Sequence, residues 1–245
     1  MTAASEDPVG QTSRTGPVLG IYAHPDDAEI SAGGTMAKWV AAGREVHLLV
    51  LTNGDRGSSD PSQDRAELAA TRLLETEAAA AYLGLASARS LGIDDGELAN
   101  THDVREAVIR RIREVRAETV VSVDPTAWFF ENRYYNHSDH RTAGEIALDA
   151  VFPGAGNPHY FSEHLEEGLD VSEVHDVWLG WTNESNHIED ISGYFDAKIA
   201  SLAKHESQLE QGIRFFEEFL AKEAIELGEK IGASHAEDFR VLDLS

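Results

Sequence analysis

The chain has 245 residues, no cysteine and a formal net charge of −24, from 44 acidic and 20 basic residues. The lack of cysteine excludes disulfides, a thiolate nucleophile and thiolate metal ligands, so any metal has to be held by His, Asp and Glu. The strongly negative charge argues against nucleic acid or an anionic membrane surface as a general partner.

The N-terminal segment is polar and contains no apolar run. Residues 1–16 are therefore predicted to form a disordered tail, followed by one domain at 17–245. The segment lacks the basic and apolar regions of a secretory signal. No stretch of the chain approaches the ~18 consecutive apolar residues that a membrane span requires. We therefore expect a soluble, cytoplasmic protein with no membrane span.

Strand-like and helix-like patterns alternate along the rest of the chain. Short apolar runs predict strands, and apolar residues at a spacing near 3.6 predict amphipathic helices. In chain order these are strand 17–23, helix 28–43, strand 45–53, helix 63–84, strand 88–93, helix 102–117, strand 119–125, helix 140–152, a strand region at 171–182 and one or two closing helices over 191–230. The alternation predicts a single α/β domain with a Rossmann-like, mostly parallel sheet and helices on both faces.

Three polar loops directly follow predicted strands: AHPDD at 23–27, NGDRG at 53–57 and DPTAWFFENRYYNHSDH at 124–140. Ligands of such folds bind beyond the carboxyl ends of the strands, so we expect the active site where these loops meet. The first loop lacks the glycine pattern of a dinucleotide site, and the chain has neither a Walker A motif nor a G-x-S-x-G elbow. The sequence therefore lacks the motifs expected for nucleotide binding and for a serine hydrolase.

Two of these loops carry residues that suit a metal ion. His24 and Asp27 are three residues apart at a predicted helix start, and His137 and His140 repeat that spacing. If strands 17–23 and 119–125 are neighbours, the two pairs can meet. Two histidines, one carboxylate and an open position for water are typical of a catalytic zinc site.

The remaining side chains suit hydrolysis. Asp26 adjoins a candidate ligand and is placed to take a proton from water, and the spare histidine can stabilise an oxyanion or protonate a leaving amine. A local alternative is helix capping, because acidic residues are favoured in a first helical turn, and this suits Glu29. Capping leaves His24 unexplained.

Two alternatives with different functions remain open on these residues. Two histidines and a carboxylate also describe the facial triad of non-haem iron oxygenases, although such enzymes have no need of a base like Asp26. The second alternative is a catalytically inactive sugar-binding protein of the same fold. Such a protein is expected to have lost Asp26 or a metal ligand, and this chain retains them.

From about residue 17 to its end, the chain resembles the PIG-L/LmbE-like zinc de-N-acetylases. The A-H-P-D-D motif of that family stands at 23–27, and its H-x-D-H motif stands at 137–140. Weaker similarities are TNGDRG at 52–57, Arg72 with Glu75, DDGEL at 94–98 and KHESQ at 204–208. His205 and Gln208, in the last of these, are expected either to support the site or to pack the C-terminal helix, and we favour the second role.

The resemblance implies a role for each motif residue. It implies that the metal ligands are His24, Asp27 and His140. It further implies that Asp26 is the general base and that His137 polarises or protonates the tetrahedral intermediate. Arg72 and Asp95 resemble the positions that contact the sugar in relatives.

The resemblance also implies the reaction, a hydrolysis that removes the acetyl group from an N-acetylated amino sugar of the N-acetylglucosaminyl type. The implied cofactor is Zn²⁺, with another divalent ion such as Fe²⁺ as the alternative. The implied partner is a small amino-sugar substrate, and because family members often form homo-oligomers, the resemblance allows such an assembly. The aromatic loop at 126–136 can either stack on a sugar or apolar aglycone or pack onto the core.

Overall fold

The computed structural model describes residues 14–209 and 212–245. Its strands are β1 (Val18–Tyr22), β2 (Val46–Thr52), β3 (Ser87–Ile93), β4 (Thr119–Val123), β5 (Phe129–Phe130), β6 (Tyr134–Tyr135), β7 (Asp176–Gly180), β8 (His187–Asp190) and β9 (Ala236–Asp243). Its α-helices are α1 (Asp27–Ala41), α2 (Arg65–Leu83), α3 (His102–Val115), α4 (Ser138–Asp149), α5 (Glu163–Glu166), α6 (Phe195–Leu202) and α7 (Ile213–Ile231). A π-helical segment, Ala150–Ala155, follows α4, and a 3₁₀ turn, Glu206–Gln208, precedes α7.

Seven strands form one sheet in the order β3-β2-β1-β4-β7-β9-β8. The first five strands in that order are parallel, and β9 runs antiparallel to both β7 and β8. β1 pairs with β4 in register, Val18 opposite Thr119 and Gly20 opposite Val121. This confirms the predicted mostly parallel α/β sheet and brings the ends of β1 and β4 together.

The sheet is buried on both faces, which explains why β1 is a continuous apolar run. Successive side chains of a strand point to opposite faces. Val18 and Tyr22 pack with Trp39 of α1 on one face. Leu19 and Ile21 belong to a second cluster, with side chains from α3, α4 and the π-helical segment, on the other face. Helices therefore cover both faces, as predicted.

The antiparallel part of the sheet was not predicted. β9 contains Glu237 and Asp238, and acidic residues are depleted in strands, so its apolar alternation is interrupted. Glu237 is nevertheless buried, because Lys198 forms an ion pair of 2.6 Å with it. The predicted helical segment 191–230 divides into α6, the 3₁₀ turn and α7. The short antiparallel hairpin of β5 and β6 was also missed.

Most of the predicted tail, residues 1–13, lies outside the described residues. Arg14 forms ion pairs of 3.3 Å with Asp176 and with Asp243, and the carbonyl of Gly16 accepts a hydrogen bond of 3.0 Å from Arg44. The end of that segment therefore contacts the domain. Across the described part of the chain, we find no helix with the length and apolar character needed to cross a bilayer.

Candidate active site and metal centre

The turn after β1 is braced by its own residues. The backbone N–H of His24 donates a hydrogen bond of 2.7 Å to Asp27 Oδ2. Asp26, between Pro25 and the start of α1, has φ of 90°, a left-handed conformation that aspartate and asparagine adopt more readily than most residues. The turn therefore presents His24 and Asp26, together with Asp27 at the start of α1, at the carboxyl end of β1.

The predicted metal ligands His24, Asp27 and His140 converge. His140 Nε2 lies 3.2 Å from Asp27 Oδ1 and 3.1 Å from His24 Nδ1. The three possible ligand atoms lie within 4.8 Å of one another, and Asp27 is only 3% exposed. Two imidazole nitrogens and one carboxylate oxygen form a donor set that suits a divalent zinc or iron ion.

The second ring nitrogen of each candidate ligand histidine lies close to a polar side chain. His24 Nε2 lies 3.2 Å from Asp95 Oδ1 and 3.5 Å from Asp139 Oδ2, and Asp139 is fixed by the backbone N–H of Gly96 at 2.7 Å. Carboxylates in this position fix the tautomer of a metal-binding histidine and increase its basicity. Asp95, which was predicted to contact the sugar, therefore also contacts a candidate metal ligand.

Asn136 orients the other histidine. Its Oδ1 lies 2.9 Å from His140 Nδ1, and its Nδ2 donates to the carbonyl of Ala127 at 3.0 Å. The ring of Trp181 packs on His140 with centroids 4.8 Å apart. Neither Asn136 nor Asp139 was predicted to have a role. Asp139 belongs to the H-x-D-H motif, but the contacts that reveal Asn136 depend on the hairpin, which the sequence did not predict.

The charges around the site favour a cation. Burial opposes ionisation of Asp27, but His140 and His24 outweigh it and hold the pKa of Asp27 well below its usual range. Burial likewise opposes protonation of His24, but Asp27, Asp139 and Asp95 raise its pKa to about 12. The carboxylates thus draw a positive charge to this point, which is the electrostatic condition for binding a divalent metal.

Asp26 has the electrostatic character of a base. Burial raises the pKa of Asp26 to about 8, and the carboxylates of Asp27 and Glu29 act in the same direction. His205 and His24 partly oppose this shift. A general base is most effective when its pKa lies near the working pH, and an ordinary aspartate lies several units too low.

His137 lies beside the proposed ligands and is the N-cap residue that precedes α4. Its Nδ1 accepts a hydrogen bond of 3.2 Å from the backbone N–H of Asp139, so the side chain caps the helix. The ring centroid of His137 lies 4.8 Å from that of His24 and 5.5 Å from that of His140. Burial and the charge on His24 lower the pKa of His137. Its Nε2 remains available for a ligand.

Arg72 reaches the site through a loop. It lies in α2, is 3% exposed, and donates from Nη1 to the carbonyl of Gly54 at 2.6 Å and from Nη2 to that of Gly57 at 2.9 Å. The same loop contains Asp55, whose Oδ1 accepts a hydrogen bond of 3.0 Å from the backbone N–H of Asp95. Arg72 therefore braces the loop on which the position of Asp95 depends.

The KHESQ segment contacts the site turn. Gln208 Nε2 donates to the carbonyl of Pro25 at 2.8 Å. His205 Nε2 lies 3.4 Å from Glu29 Oε2, and both side chains are almost fully buried. Of the two roles expected for His205 and Gln208, these contacts favour support of the site over the packing role that we preferred. No local pattern could have revealed them, because residues far apart in the sequence are involved.

Comparisons with known proteins identify the family of the chain. The sequence profile of the PIG-L family, described as GlcNAc-PI de-N-acetylase, matches residues 19–151. A diacetylchitobiose deacetylase from Thermococcus kodakarensis is 35% identical over 224 residues, which cover 91% of this chain and 82% of the relative. A 1D-myo-inositol 2-acetamido-2-deoxy-alpha-D-glucopyranoside deacetylase from Rhodococcus erythropolis is 28% identical, covering 78% of this chain and 81% of the relative.

Solved structures give the same result. The N,N'-diacetylchitobiose deacetylase from Pyrococcus horikoshii, complexed with its inhibitor MPG, superposes with a TM-score of 0.84 and 32% identity, covering 93% of this chain and 84% of the other. The 4-carboxy-2-hydroxymuconate hydratase GalB from Pseudomonas putida KT2440 superposes with a TM-score of 0.77 at 20% identity, covering 95% of this chain and 98% of the other, and shares the fold alone.

These relatives give no support to the two alternatives left open by the residues, an iron oxygenase and an inactive sugar-binding protein. The family that the A-H-P-D-D and H-x-D-H motifs predict is confirmed by the profile match and by the relatives of over 30% identity. The chain belongs to the PIG-L family of de-N-acetylases.

Proposed function

We propose that this chain is a zinc-dependent deacetylase that hydrolyses the acetamide of an N-acetylated amino sugar of the N-acetylglucosaminyl type. The observation that carries the proposal is the convergence of His24, Asp27 and His140 beside Asp26. The names of the relatives from Thermococcus kodakarensis and Rhodococcus erythropolis, both of them deacetylases of acetamido sugars, support the substrate class.

His24, Asp27 and His140 hold the metal in this proposal, and Asp95, Asp139 and Asn136 orient the two imidazoles. A zinc ion bound by these residues would act as a Lewis acid and would lower the pKa of a water bound to it to about 7. Fe²⁺ suits the same donors, so metal content and activity have to be measured together.

Asp26 is the general base. Its carboxylate takes a proton from the water that attacks the acetamide carbon, and the elevated pKa suits it to pass that proton to the leaving nitrogen. The carbon–nitrogen bond then breaks, which yields acetate and the free amine of the sugar. Asp26 has a left-handed backbone at φ of 90°, whereas Asp27 is the first residue of α1 and its carboxylate accepts a hydrogen bond from the backbone N–H of His24.

His137 stabilises the charge that develops on the acetamide oxygen. Its Nδ1 accepts the helix-capping hydrogen bond, so a proton on Nε2 is free to be donated to the substrate. The pKa of His137 is lowered by burial and by the charge of His24, which favours this neutral tautomer over the doubly protonated ring. One such donor typically contributes about 10²–10³-fold to the rate.

Acetate release tests the proposal. The purified chain is assayed on N-acetylglucosamine, N,N'-diacetylchitobiose and N-acetylglucosaminyl inositol, before and after removal of metal with a chelator. We expect acetate from at least one of these sugars, loss of activity with the chelator and its return with one equivalent of zinc. Metal-loaded protein that releases no acetate from any of them contradicts the proposed function.

A further inference from the structure

Trp128 carries a rigid ring at the rim of the site. It directly precedes β5, and 54% of its surface is exposed. The guanidinium carbon of Arg141 lies 3.7 Å from the ring centroid, in a stacked arrangement. Since a guanidinium is planar and stacks on aromatic faces, it covers one face of the indole. The exposed surface of Trp128 is therefore its opposite face and its edges.

Both partners of this stack are fixed by Asn136. Arg141 Nη1 donates a hydrogen bond to the carbonyl of Asn136, and the backbone N–H of Asn136 donates to the carbonyl of Trp128 at 2.8 Å. The side chain of Asn136 is 1% exposed and also bonds to the carbonyl of Ala127. The ring is thus held in place without a ligand, which lowers the entropic cost of binding one.

The stack is joined directly to the proposed metal centre. Asn136, which positions Trp128, is the residue whose Oδ1 contacts His140 Nδ1 at 2.9 Å. Arg141 follows His140 in α4. Trp128 is therefore linked to the candidate ligand His140 through Asn136 and through Arg141.

We propose that the open face of Trp128 is a second sugar subsite, which stacks on the neutral ring attached to the N-acetylated sugar. This inference rests on the proposed function and narrows its substrate class to disaccharides or larger saccharides. The C–H-rich face of a pyranose is apolar and matches one flat indole in size, and its hydroxyl groups stay in water around the edges. A neutral ring also avoids repulsion from a chain with a net charge of −24.

Comparison of two substrates in matched variants tests the subsite. For Trp128→Ala we expect the KM for N,N'-diacetylchitobiose to rise about three- to tenfold, the range expected for loss of one aromatic contact, with kcat unchanged. The KM for N-acetylglucosamine should change less than twofold. Trp128→Phe should restore most of the affinity for the disaccharide, because a flat ring remains. Phe129→Ala is the control. It removes the neighbouring ring, which is 62% exposed, and should change the KM for neither substrate.

If Trp128→Ala raises the KM for both sugars equally, or changes the KM for neither, the proposed subsite is contradicted. The proposal is also contradicted if Trp128→Ala raises the KM for an N-acetylglucosaminide with an alkyl aglycone more than the KM for the disaccharide. Trp128 would then bind an apolar group and not a sugar ring. Calorimetric binding of both sugars to zinc-loaded Asp26→Asn protein, with and without Trp128→Ala, repeats the comparison without turnover. Inactivity of the wild type would therefore contradict the proposed function, while this binding measurement still decides on the subsite.

Discussion

Gln208 Nε2 donates a hydrogen bond of 2.8 Å to the carbonyl oxygen of Pro25. A residue 183 positions further along the chain therefore contacts the peptide group that joins Pro25 to Asp26. Asp26 is left-handed at φ of 90°, and such a conformation costs about 1–3 kcal/mol and persists only where surrounding contacts impose it. The hydrogen bond fixes the plane of the Pro25–Asp26 peptide and thereby the direction of the Asp26 side chain. Gln208 is therefore a positioning residue for the proposed base.

Gln208→Ala should lower kcat by about 10–100-fold, the scale expected when a reacting group is misplaced by a change outside the chemistry. The bound metal should stay at one equivalent, because no proposed ligand contacts Gln208 in the described structure. The matched control is Glu206→Ala on the same 3₁₀ turn, where the side chain is exposed. A Gln208→Ala variant with normal kcat, or with equal loss of kcat and of metal, contradicts the positioning role.

Asp26→Asn separates base catalysis from backbone geometry. Asparagine tolerates the left-handed conformation, so the turn should keep its shape while the proton acceptor is lost. We expect kcat to fall by about 10²–10⁴-fold, the usual contribution of a general base, with the metal retained. Kinetics and elemental analysis on the same preparation give both quantities. Loss of metal from Asp26→Asn would mean that Asp26 is a ligand instead.

His140→Ala and His137→Asn form a matched pair on one helix start. His140→Ala removes a proposed ligand and should leave less than stoichiometric metal together with no measurable turnover. His137→Asn keeps a good helix cap but removes the imidazole, so it should retain metal and lose about 10²–10³-fold in kcat. Elemental analysis after dialysis against zinc-free buffer distinguishes the two. The reverse result would exchange the roles of His137 and His140.

The parallel part of the fold could be predicted because its signals are local. β1 and β4 are rich in apolar residues because both their faces are buried, and the polar motifs that follow them mark the carboxyl ends of neighbouring strands. Chemistry then restricts the ligands to His24, Asp27 and a histidine of H-x-D-H, although the choice of His140 over His137 came from the family resemblance.

The rest of the site depends on contacts that no local pattern encodes. Gln208 reaches Pro25 across 183 positions of sequence, and Asn136 orients His140 only because the β5–β6 hairpin folds back over Ala127. β9 was missed for a related reason, since the partner of its buried Glu237 is Lys198, which lies 39 positions away in the sequence. Arg72 was expected at the sugar, whereas its visible hydrogen bonds are to loop carbonyls.

Arg72→Lys tests which of these roles dominates. Lysine cannot donate to the carbonyls of Gly54 and Gly57 in the forked geometry of arginine, so a buried acceptor should lose its partner. We expect the free energy of unfolding to fall by about 1–3 kcal/mol in urea titrations. Arg214→Lys, on an exposed side chain, is the control and should be neutral. A higher KM with unchanged stability would instead support direct contact between Arg72 and the sugar.

The buried ion pair of Lys198 and Glu237 should be essential to the antiparallel edge of the sheet. Glu237 Oε1 accepts from Lys198 Nζ at 2.6 Å, and Oε2 accepts from the hydroxyl of Thr35 at 2.6 Å, which joins α6 and α1 to β9. Glu237→Gln leaves the ammonium of Lys198 buried without a counter-charge, so we expect the free energy of unfolding to fall by about 3–5 kcal/mol.

A double-mutant cycle identifies the cause of that loss. Adding Lys198→Met to Glu237→Gln should recover part of the stability, because the unpaired charge is removed along with its partner. Glu226→Gln, which breaks the exposed pair with Lys222 at 4.0 Å, is the control and should change little, since exposed pairs contribute little. Urea unfolding of the four proteins and the control measures each term. If Glu237→Gln costs no more than Glu226→Gln, the buried pair does not hold β9 in the sheet, and the interrupted alternation of that strand needs another explanation.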